Sequence, residues 1–465
     1  MASPWMWWPR DRISGLPDSV LGHVLSFLPT PEAGRAAALS RRWRYIFGHV
    51  HTVTYEEKDG ERSFDWDSFY FEAKEYKSCS STLLDGISAA LLCRRRYVLE
   101  YARVELHLDL RFILGHTCAR DGYRRDVYDK YGDETDSDSD DDAWFYPLPG
   151  RLFSCAALKT LCLGHCRLRL PANVNLPCLE TLRLTGILVD SGRSIQRLIL
   201  SCPRLVDLTL EAVRHVRTLF LHGRLHRFAL RCCHNAKSVH INASELVFLE
   251  YRGAVPAESL LTLHGSPPQQ FSCTVDFCTP VSKNAAEHAA AKRFMWSFSA
   301  SKRLHLHHGR LHSSSLAGDG LPLFPRMTRL ELQGHIESLG FVGAVRNILE
   351  QTPNLEVLTL YMAEKMAQRQ QASAPKDDDG HAAVVVVPDE ESFSTPCLRL
   401  RVKEINLVHY QGNEVQRTLA RLLFSNAIVL EKLCVVFTKE RFAVQTGLKN
   451  EIEALARAGS KRIFR

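Results

Sequence analysis

The sequence LKTLCLGHCRL, which runs from Leu158 to Leu168, sets the pattern for most of this 465-residue chain. Its leucines stand at the first, fourth, sixth and last positions, so one residue separates Leu161 from Leu163. Such alternation is typical of a short β-strand that buries one of its faces. A single unit of this kind cannot bury its apolar face alone, so we expect neighbouring units to stack on it.

The same spacing of apolar residues recurs along the chain, and its first copy matches the leucine-rich-repeat template. Further copies begin at Leu179, Leu205, Leu225, Leu246, Met327, Leu355, Val402 and Leu430. Within each group, the copies start roughly 20 to 28 residues apart, which suits one strand and one short return per repeat. The sequence predicts an α/β fold: an irregular leucine-rich-repeat solenoid, with a curved sheet of short strands and helices or turns on its outer face. Several independent α/β domains are the alternative.

A second stretch, DRISGLPDSVLGHVLSFLPTPEAGRAAALSRRWRYIF from Asp11 to Phe47, predicts two or three short helices. Pro17 and Asp18 stand where a helix would begin, and Pro29 stands where it would end. The apolar residues between them recur at helical spacing. These helices carry more apolar surface than they can bury among themselves, which predicts that a further surface covers them.

This stretch resembles an F-box, through the Leu16-Pro17-Asp18 opening and the Leu39-Ser40-Arg41-Arg42-Trp43-Arg44 ending. The resemblance implies a small helical domain that docks on a Skp-type adaptor and, through it, on a cullin. The adaptor-binding or domain-core residues that it implies are Leu16, Pro17, Leu21, Val24, Leu25, Leu28, Pro29, Leu39 and Trp43. Gly34 departs from the family pattern and should weaken its helix by roughly 1 kcal/mol. The alternative is an ordinary helical subdomain packed on its own chain.

These patterns divide the chain into six segments. They are an F-box at 11–50, a transitional segment at 51–120, an acidic loop at 121–147, leucine-rich repeats at 152–362, a low-complexity insertion at 363–394 and C-terminal repeats at 395–465. The acidic loop and the insertion cannot bury apolar area, so both are expected to be disordered. A Pro- and Ala-rich interruption of the repeats is expected at Gly265–Arg293. The last segment resembles the FBD region that closes many plant F-box/leucine-rich-repeat proteins, through Val402-Lys403-Glu404-Ile405 and Gly412-Asn413-Glu414.

Composition narrows the class of protein. The net charge of +7 is modest for 465 residues, so a nucleic-acid partner is not required. The fourteen cysteines include no C-x-x-C pair, which favours reduced thiols in the cytoplasm or nucleus. We find neither a signal peptide nor an apolar run of about eighteen residues, so no membrane contact is expected.

Motifs for catalysis and cofactor binding are missing from the sequence. It has no G-x-G-x-x-G, no P-loop, no G-x-S-x-G and no H-E-x-x-H, so we expect a non-catalytic protein without a cofactor. The histidines at 305, 307, 308 and 312 suggest a metal site, but an alternating strand followed by a turn that joins repeats explains them better. Cys232-Cys233 is better explained by core packing than by redox chemistry. No metal site is therefore predicted.

The resemblance and the repeats together predict the substrate-recognition subunit of a ubiquitin ligase, which binds an unknown protein target. In each strand, the residues beside the second leucine point away from the core. This rule gives the predicted target-binding residues Thr181, Arg183, Asp207, Thr209, Arg227, Arg231, Phe248 and Arg252. Their mixed charges suit a protein better than a polyanion, and a plain solvated face is the alternative. A repeat scaffold or nucleic-acid-binding protein outside a ligase is the second hypothesis for the function.

Overall fold

The computed structural model describes most of residues 13–47, the segments 52–56 and 105–110, and most of residues 148–362 and 393–464. These residues form two compact units. The first holds the described residues up to Thr209 together with Val213 and His215, and the second holds Leu210–Ala212 and the described residues from Val216 onward. The predicted acidic loop and almost all of the predicted insertion lie outside the described residues.

The N-terminal part of the first unit contains the short helices α1 (Asp18–Ser26) and α2 (Arg41–Phe47), and Glu32, Ala33, Arg35 and Ala36 between them are also helical. Helix α1 begins directly after Pro17, whose missing N–H costs nothing there. Leu21 and Leu25 of α1 and Ile46 of α2 are all buried, with at most 2% of their surfaces exposed. The Arg42 guanidinium holds the two segments together, because it donates to Asp18 Oδ1 at 2.9 and 3.0 Å and to the Leu16 carbonyl at 2.6 Å.

The strands that follow in the first unit make one parallel sheet. They are β1 (Thr52–Glu56), β2 (Glu105–Leu110), β3 (Thr160–Gly164), β5 (Thr181–Thr185) and β7 (Asp207–Glu211), in that spatial order, and β7 continues into the second unit. The short pair β4 (Arg167–Leu168) and β6 (Leu188–Val189) forms a second, two-stranded sheet, and α3 (Gly192–Leu200) follows it. The sequence assigns β1 and β2 to a transitional segment that leads into the repeats, and in the structure both strands pair within the sheet.

The second unit continues the same plan with nine strands in one parallel sheet. They are β9 (Arg227–Arg231), β11 (Phe248–Gly253), β13 (Ser272–Phe277), β14 (Arg303–His307), β15 (Arg329–Gly334), β16 (Val357–Met362), β17 (Glu404–Tyr410), β18 (Lys432–Phe437) and β19 (Lys461–Phe464). A three-stranded parallel sheet runs in the order β12 (Leu261–His264), β10 (Ser238–Asn242), β8 (Thr218–Leu221). The predicted α/β fold of N-terminal helices and parallel repeat strands is confirmed.

Helices make the returns between the later strands. They are α4 (Ala285–Met295), α5 (Leu339–Glu350), α6 (Pro396–Leu400), α7 (Glu414–Asn426) and α8 (Phe442–Leu455). The interruption expected at Gly265–Arg293 contains strand β13, which pairs in register with β11 and was not predicted. Most of α4 also lies there, in the Ala-rich run where the sequence allows a helix. Among the described residues, no helix combines the length and apolarity that crossing a membrane requires.

The core lies under the sheet, where the leucines of successive repeats meet. Leu330, Leu358, Ile405 and Leu433 hold equivalent positions in β15, β16, β17 and β18, and each is fully buried. Full burial of such a side chain contributes roughly 1.5–3 kcal/mol to the free energy of unfolding. Stacking of repeats, rather than any single repeat, therefore stabilises each unit.

The Gly412-Asn413-Glu414 stretch forms the start of α7. Asn413 Oδ1 accepts a hydrogen bond from the Gln416 N–H at 2.8 Å. In return, the buried Gln416 Oε1 accepts from the N–H groups of Gln411 and Gly412 at 2.9 and 3.0 Å. This reciprocal cap satisfies backbone donors that a helix start would otherwise leave without partners. Gly412 has a φ of +70°, a conformation that favours glycine.

A left-handed residue follows directly after each of three strands. Gly186, Ala212 and Cys232 have φ values of 57°, 52° and 52°, after β5, β7 and β9 respectively. Glycine adopts this conformation without strain, whereas an L-residue with a side chain pays roughly 1–2 kcal/mol. The same left-handed turn therefore recurs after strands of the repeats, whereas the residue type at the left-handed position differs from one repeat to the next.

We expect Ala212→Gly to raise the free energy of unfolding by up to about 1 kcal/mol, because the strain lost exceeds the entropy gained by the unfolded chain. Urea unfolding followed by circular dichroism measures the change. Ala229→Gly serves as the matched control, since Ala229 is buried within β9 and its replacement should lower stability. A lower stability for Ala212→Gly than for the unaltered chain would contradict this account of the turn.

Candidate functional site

Helix α1 presents a row of exposed apolar side chains. Val20 and Val24 are four residues apart in α1, so they lie on one side of the helix, and Leu28 follows just after the helix ends. Each of them exposes between 41% and 47% of its surface, and Phe27 beside them exposes 74%. Leu16 extends the row before the helix begins. We call Leu16, Val20, Val24, Phe27 and Leu28 the apolar face of α1. A contiguous apolar patch on a small helical domain is typical of a protein-binding surface.

The outward side of the sheet carries charged residues, and several of them pair with residues of neighbouring strands. In the second unit, the Arg231 guanidinium donates to both carboxylate oxygens of Glu250, at 2.7 and 2.8 Å, and lies 3.5 Å from Glu211. Arg252 lies 3.3 Å from Asp276 on the next strand. Hydrogen bonding to Glu250, opposed by burial and supported by both carboxylates, raises the pKa of Arg231.

Neighbouring strands supply further pairs of the same kind. The Arg227 guanidinium stacks over the Phe248 ring, 4.4 Å from its centroid. Lys432 donates to Glu404 at 2.8 Å. Burial alone would raise the pKa of Glu404, but the hydrogen bonds from Lys432 and Asn406 bring that pKa below its ordinary value. In the first unit, Arg183 lies 3.8 Å from Asp207. We call these outward residues of each unit its sheet face.

Comparison with known proteins gives matches to the N-terminal helices and to the region of the repeats. The model of the F-box domain matches residues 13–52, and a model described as the repeats of the FBD-associated F-box protein At5g56370 matches residues 137–252. The chain carries an F-box followed by leucine-rich repeats. The predicted resemblance to plant F-box/leucine-rich-repeat proteins is therefore confirmed.

Several Arabidopsis thaliana F-box proteins are similar to this chain. The F-box/LRR-repeat protein At3g59200 is 26% identical over 391 residues, which cover 76% of this chain and 69% of that protein. The FBD-associated F-box protein At5g22730 is 23% identical over 459 residues, which cover 91% of this chain and 87% of that protein. The FBD-associated F-box protein At4g10400 is 30% identical over 207 residues, or 44% of this chain and 46% of that protein.

The structure separates the residues predicted to bind an adaptor into two groups. Leu16, Pro17, Val24 and Leu28 are exposed, and Trp43 is half-buried. Leu21 and Leu25 are buried within the F-box, so they hold its helices together rather than face outward. Pro29, Gly34 and Leu39 lie outside the described residues. Val20 and Phe27 are exposed as well, although neither is among the residues predicted to bind an adaptor.

The residues predicted to bind a target also differ in their solvent exposure. Arg183 and Arg227 are exposed, whereas Thr181, Asp207, Arg231, Phe248 and Arg252 are half-buried and Thr209 is buried. Sequence alternation placed them on the outward side of their strands, but it could not show that their charges pair with one another. The sheet face therefore offers fewer uncompensated charges than its sequence suggests.

The structure shows the surroundings of the histidines and cysteines noted in the sequence, and it adds a cluster that the sequence did not predict. His305 contacts Gln333 at 3.1 Å and stacks on His307, while His308 and His312 lie outside the described residues. Cys233 is buried and its Sγ lies 3.6 Å from the Leu210 carbonyl, as core packing requires. Its neighbour Cys232 instead approaches His234 and Cys278. The sequence missed this cluster because 44 residues separate His234 from Cys278.

Proposed function

We propose that this F-box/leucine-rich-repeat chain is the substrate-recognition subunit of a Skp–cullin–F-box ubiquitin ligase. Its F-box docks on a Skp-family adaptor, which connects the chain to a cullin. Its repeats bind a protein target and present it for ubiquitination. In this role the chain supplies binding surfaces and no catalytic group, and the ligase works in the cytoplasm or nucleus.

The apolar face of α1 carries the proposal for the adaptor. Five exposed apolar side chains in and beside a short helix gain stability only when another surface covers them. Covering a side chain of this size completely contributes roughly 1.5–3 kcal/mol, so even partial burial of the group supports a stable complex. The Arg42–Asp18 pair and the buried Leu21, Leu25 and Ile46 hold the helices in place, so docking needs little reorganisation.

The sheet face of each unit supports a protein as target rather than a nucleic acid. Phosphate binding requires basic side chains whose charges are not already neutralised. Arg231, Arg252 and Lys432 each lie within 3.5 Å of a carboxylate on a neighbouring strand. Exposed Arg183 and the Arg227–Phe248 pair add polar and aromatic groups of the kind that protein interfaces use.

Copurification tests the ligase assignment. The tagged full chain is coexpressed with a Skp adaptor and a cullin, and both should elute with it in a stable complex. Proximity labelling with the proteasome inhibited should then identify proteins whose ubiquitination depends on the chain. A chain that elutes without the adaptor under these conditions would contradict the assignment. Salt-dependent binding to nucleic acid would instead favour the alternative role outside a ligase.

The sheet face is tested with the two exposed arginines. We expect Arg183→Ala combined with Arg227→Ala to lower target recovery, because both side chains are accessible and neither is buried between two carboxylates. Arg421→Ala, an exposed arginine on α7, is the matched control and should leave recovery unchanged. Adaptor recovery should stay the same in all of these variants. Unchanged target recovery in the double variant would place the target elsewhere on the chain.

A further inference from the structure

Two cysteines and a histidine come together at the ends of neighbouring strands in the second unit. Cys232 directly follows β9 and Cys278 directly follows β13, while the intervening strand β11 ends at Gly253. The ligand atoms of Cys232, His234 and Cys278 all lie within 4.8 Å of one another. Such a cluster arises from the repeat architecture, because strands that are distant in sequence end side by side.

Backbone hydrogen bonds fix the positions of both cysteines. The Cys278 N–H donates to the Gly253 carbonyl at 3.0 Å, and the Cys232 N–H donates to the Arg252 carbonyl. Cys232 also has the left-handed φ of 52° described above. The turn after β9 therefore holds the Cys232 side chain in one place relative to the ends of β11 and β13. A site held in this way on rigid elements is prepared for a ligand before the ligand arrives.

The ligand atoms of the cluster and the distances between them match those of zinc sites in proteins. Zn²⁺ binds Cys sulfur at about 2.3 Å and His nitrogen at about 2.0–2.1 Å, so tetrahedral ligands lie roughly 3.6–3.8 Å apart. Cys278 Sγ and His234 Nε2 lie 3.8 Å apart. Two thiolates balance the charge of a dication, and thiolate with imidazole is a set that magnesium and calcium do not prefer.

The surroundings of the cluster also suit a bound metal. Cys232 and Cys278 are buried, at 5% and 1% exposed, whereas His234 is exposed to solvent. The ion would thus have an entry path on the side of His234 and shielded thiolates behind it. Tyr251 of β11, the strand between β9 and β13, is also buried.

We propose that Cys232, His234 and Cys278 bind one Zn²⁺ ion, with the fourth position left to water or to an atom of a bound partner. The ion ties the end of β9 to the end of β13, two strands further along the sheet. It thereby stabilises the second unit at the carboxyl ends of these strands. This role does not depend on the ligase assignment, because the site lies wholly within the repeats.

Metal analysis of the purified full chain tests the site. After weakly bound metal is removed, plasma mass spectrometry should find roughly one zinc per chain. Cys278→Ser and His234→Ala should each lower that content strongly. Cys434→Ser and His222→Ala are the matched controls, since they alter a half-buried cysteine and an exposed histidine outside the cluster. Both controls should retain the zinc.

Cobalt provides a second measurement that does not depend on folding of the cysteine variants. Adding Co²⁺ to the metal-free chain should produce thiolate-to-cobalt charge-transfer absorption. His234→Ala, which changes an exposed side chain, should weaken Co²⁺ binding on the order of tenfold or more while circular dichroism stays unchanged. Three results would overturn the proposal: no uptake of either metal, full zinc content in both site variants, or a Cys232–Cys278 disulfide in the chain isolated under reducing conditions.

Discussion

Replacing Val24 and Phe27 with aspartate should abolish recovery of the Skp adaptor while the chain stays folded. Both side chains are exposed on the apolar face of α1, so the free chain tolerates the new carboxylates. In a complex, the same carboxylates would be buried without partners, which costs several kcal/mol and lowers affinity by at least about a hundredfold. Quantitative pull-down with purified adaptor measures this loss, and circular dichroism checks the fold.

A matched control separates loss of docking from loss of structure. Leu400→Asp places the same charge on a leucine that exposes 70% of its surface, on α6 and away from the F-box, and it should leave adaptor recovery unchanged. Leu25→Asp, by contrast, should unfold the helices, because Leu25 is 2% exposed. Full adaptor binding by the Val24/Phe27 double variant would show that another surface carries the interaction.

Leu358→Ala should lower the free energy of unfolding of the repeats by about 2–5 kcal/mol. Leu358 is fully buried in β16, where its neighbours in register are Leu330 of β15 and Ile405 of β17. The cavity removes contacts on both sides, and the flanking strands keep their backbone pairing, so the site cannot collapse easily. Urea unfolding monitored by circular dichroism gives the change in midpoint.

Leu400→Ala serves as the comparison for this substitution, because the same atoms are removed from an exposed position. We expect it to change stability by less than about 0.5 kcal/mol. Equal effects of the two substitutions would mean that β16 does not lie in a stacked core. Because the repeats depend on their neighbours, the loss at Leu358 should broaden or lower the transition of the unit rather than unfold one strand alone.

Local pattern was sufficient to predict the strands of the repeats. Alternating apolar residues predicted β3, β5, β7, β9 and β11, and Pro17 predicted the start of α1. Strand β13, SCTVDF, lacks the leucine spacing, since Cys273, Val275 and Phe277 take the inward positions. A template built on leucine cannot detect such a strand, although the alternation itself was present in the sequence.

The sites were harder to predict, because they depend on which face of an element becomes buried. Helix α1 is apolar on two adjacent sides, and periodicity could not show that Leu21 and Leu25 turn inward while Val20 and Val24 remain outside. The charge pairs between strands could not be predicted from the sequence either, since Arg231 and Glu250 are 19 residues apart. The Cys232–His234–Cys278 cluster required knowledge of β9 and β13 as near neighbours.

The paired charges of the sheet face have a consequence for the speed of recognition. Long-range attraction accelerates association only when a surface carries a field of one sign. Because Arg231, Arg252 and Lys432 are each neutralised by a carboxylate on an adjacent strand, these three cations add little net field beyond their own contacts. A target that binds over these pairs would then arrive by unguided diffusion, at roughly 10⁵–10⁶ per molar per second, and salt would change that rate little. Discrimination between targets would thus lie in how long each one stays bound.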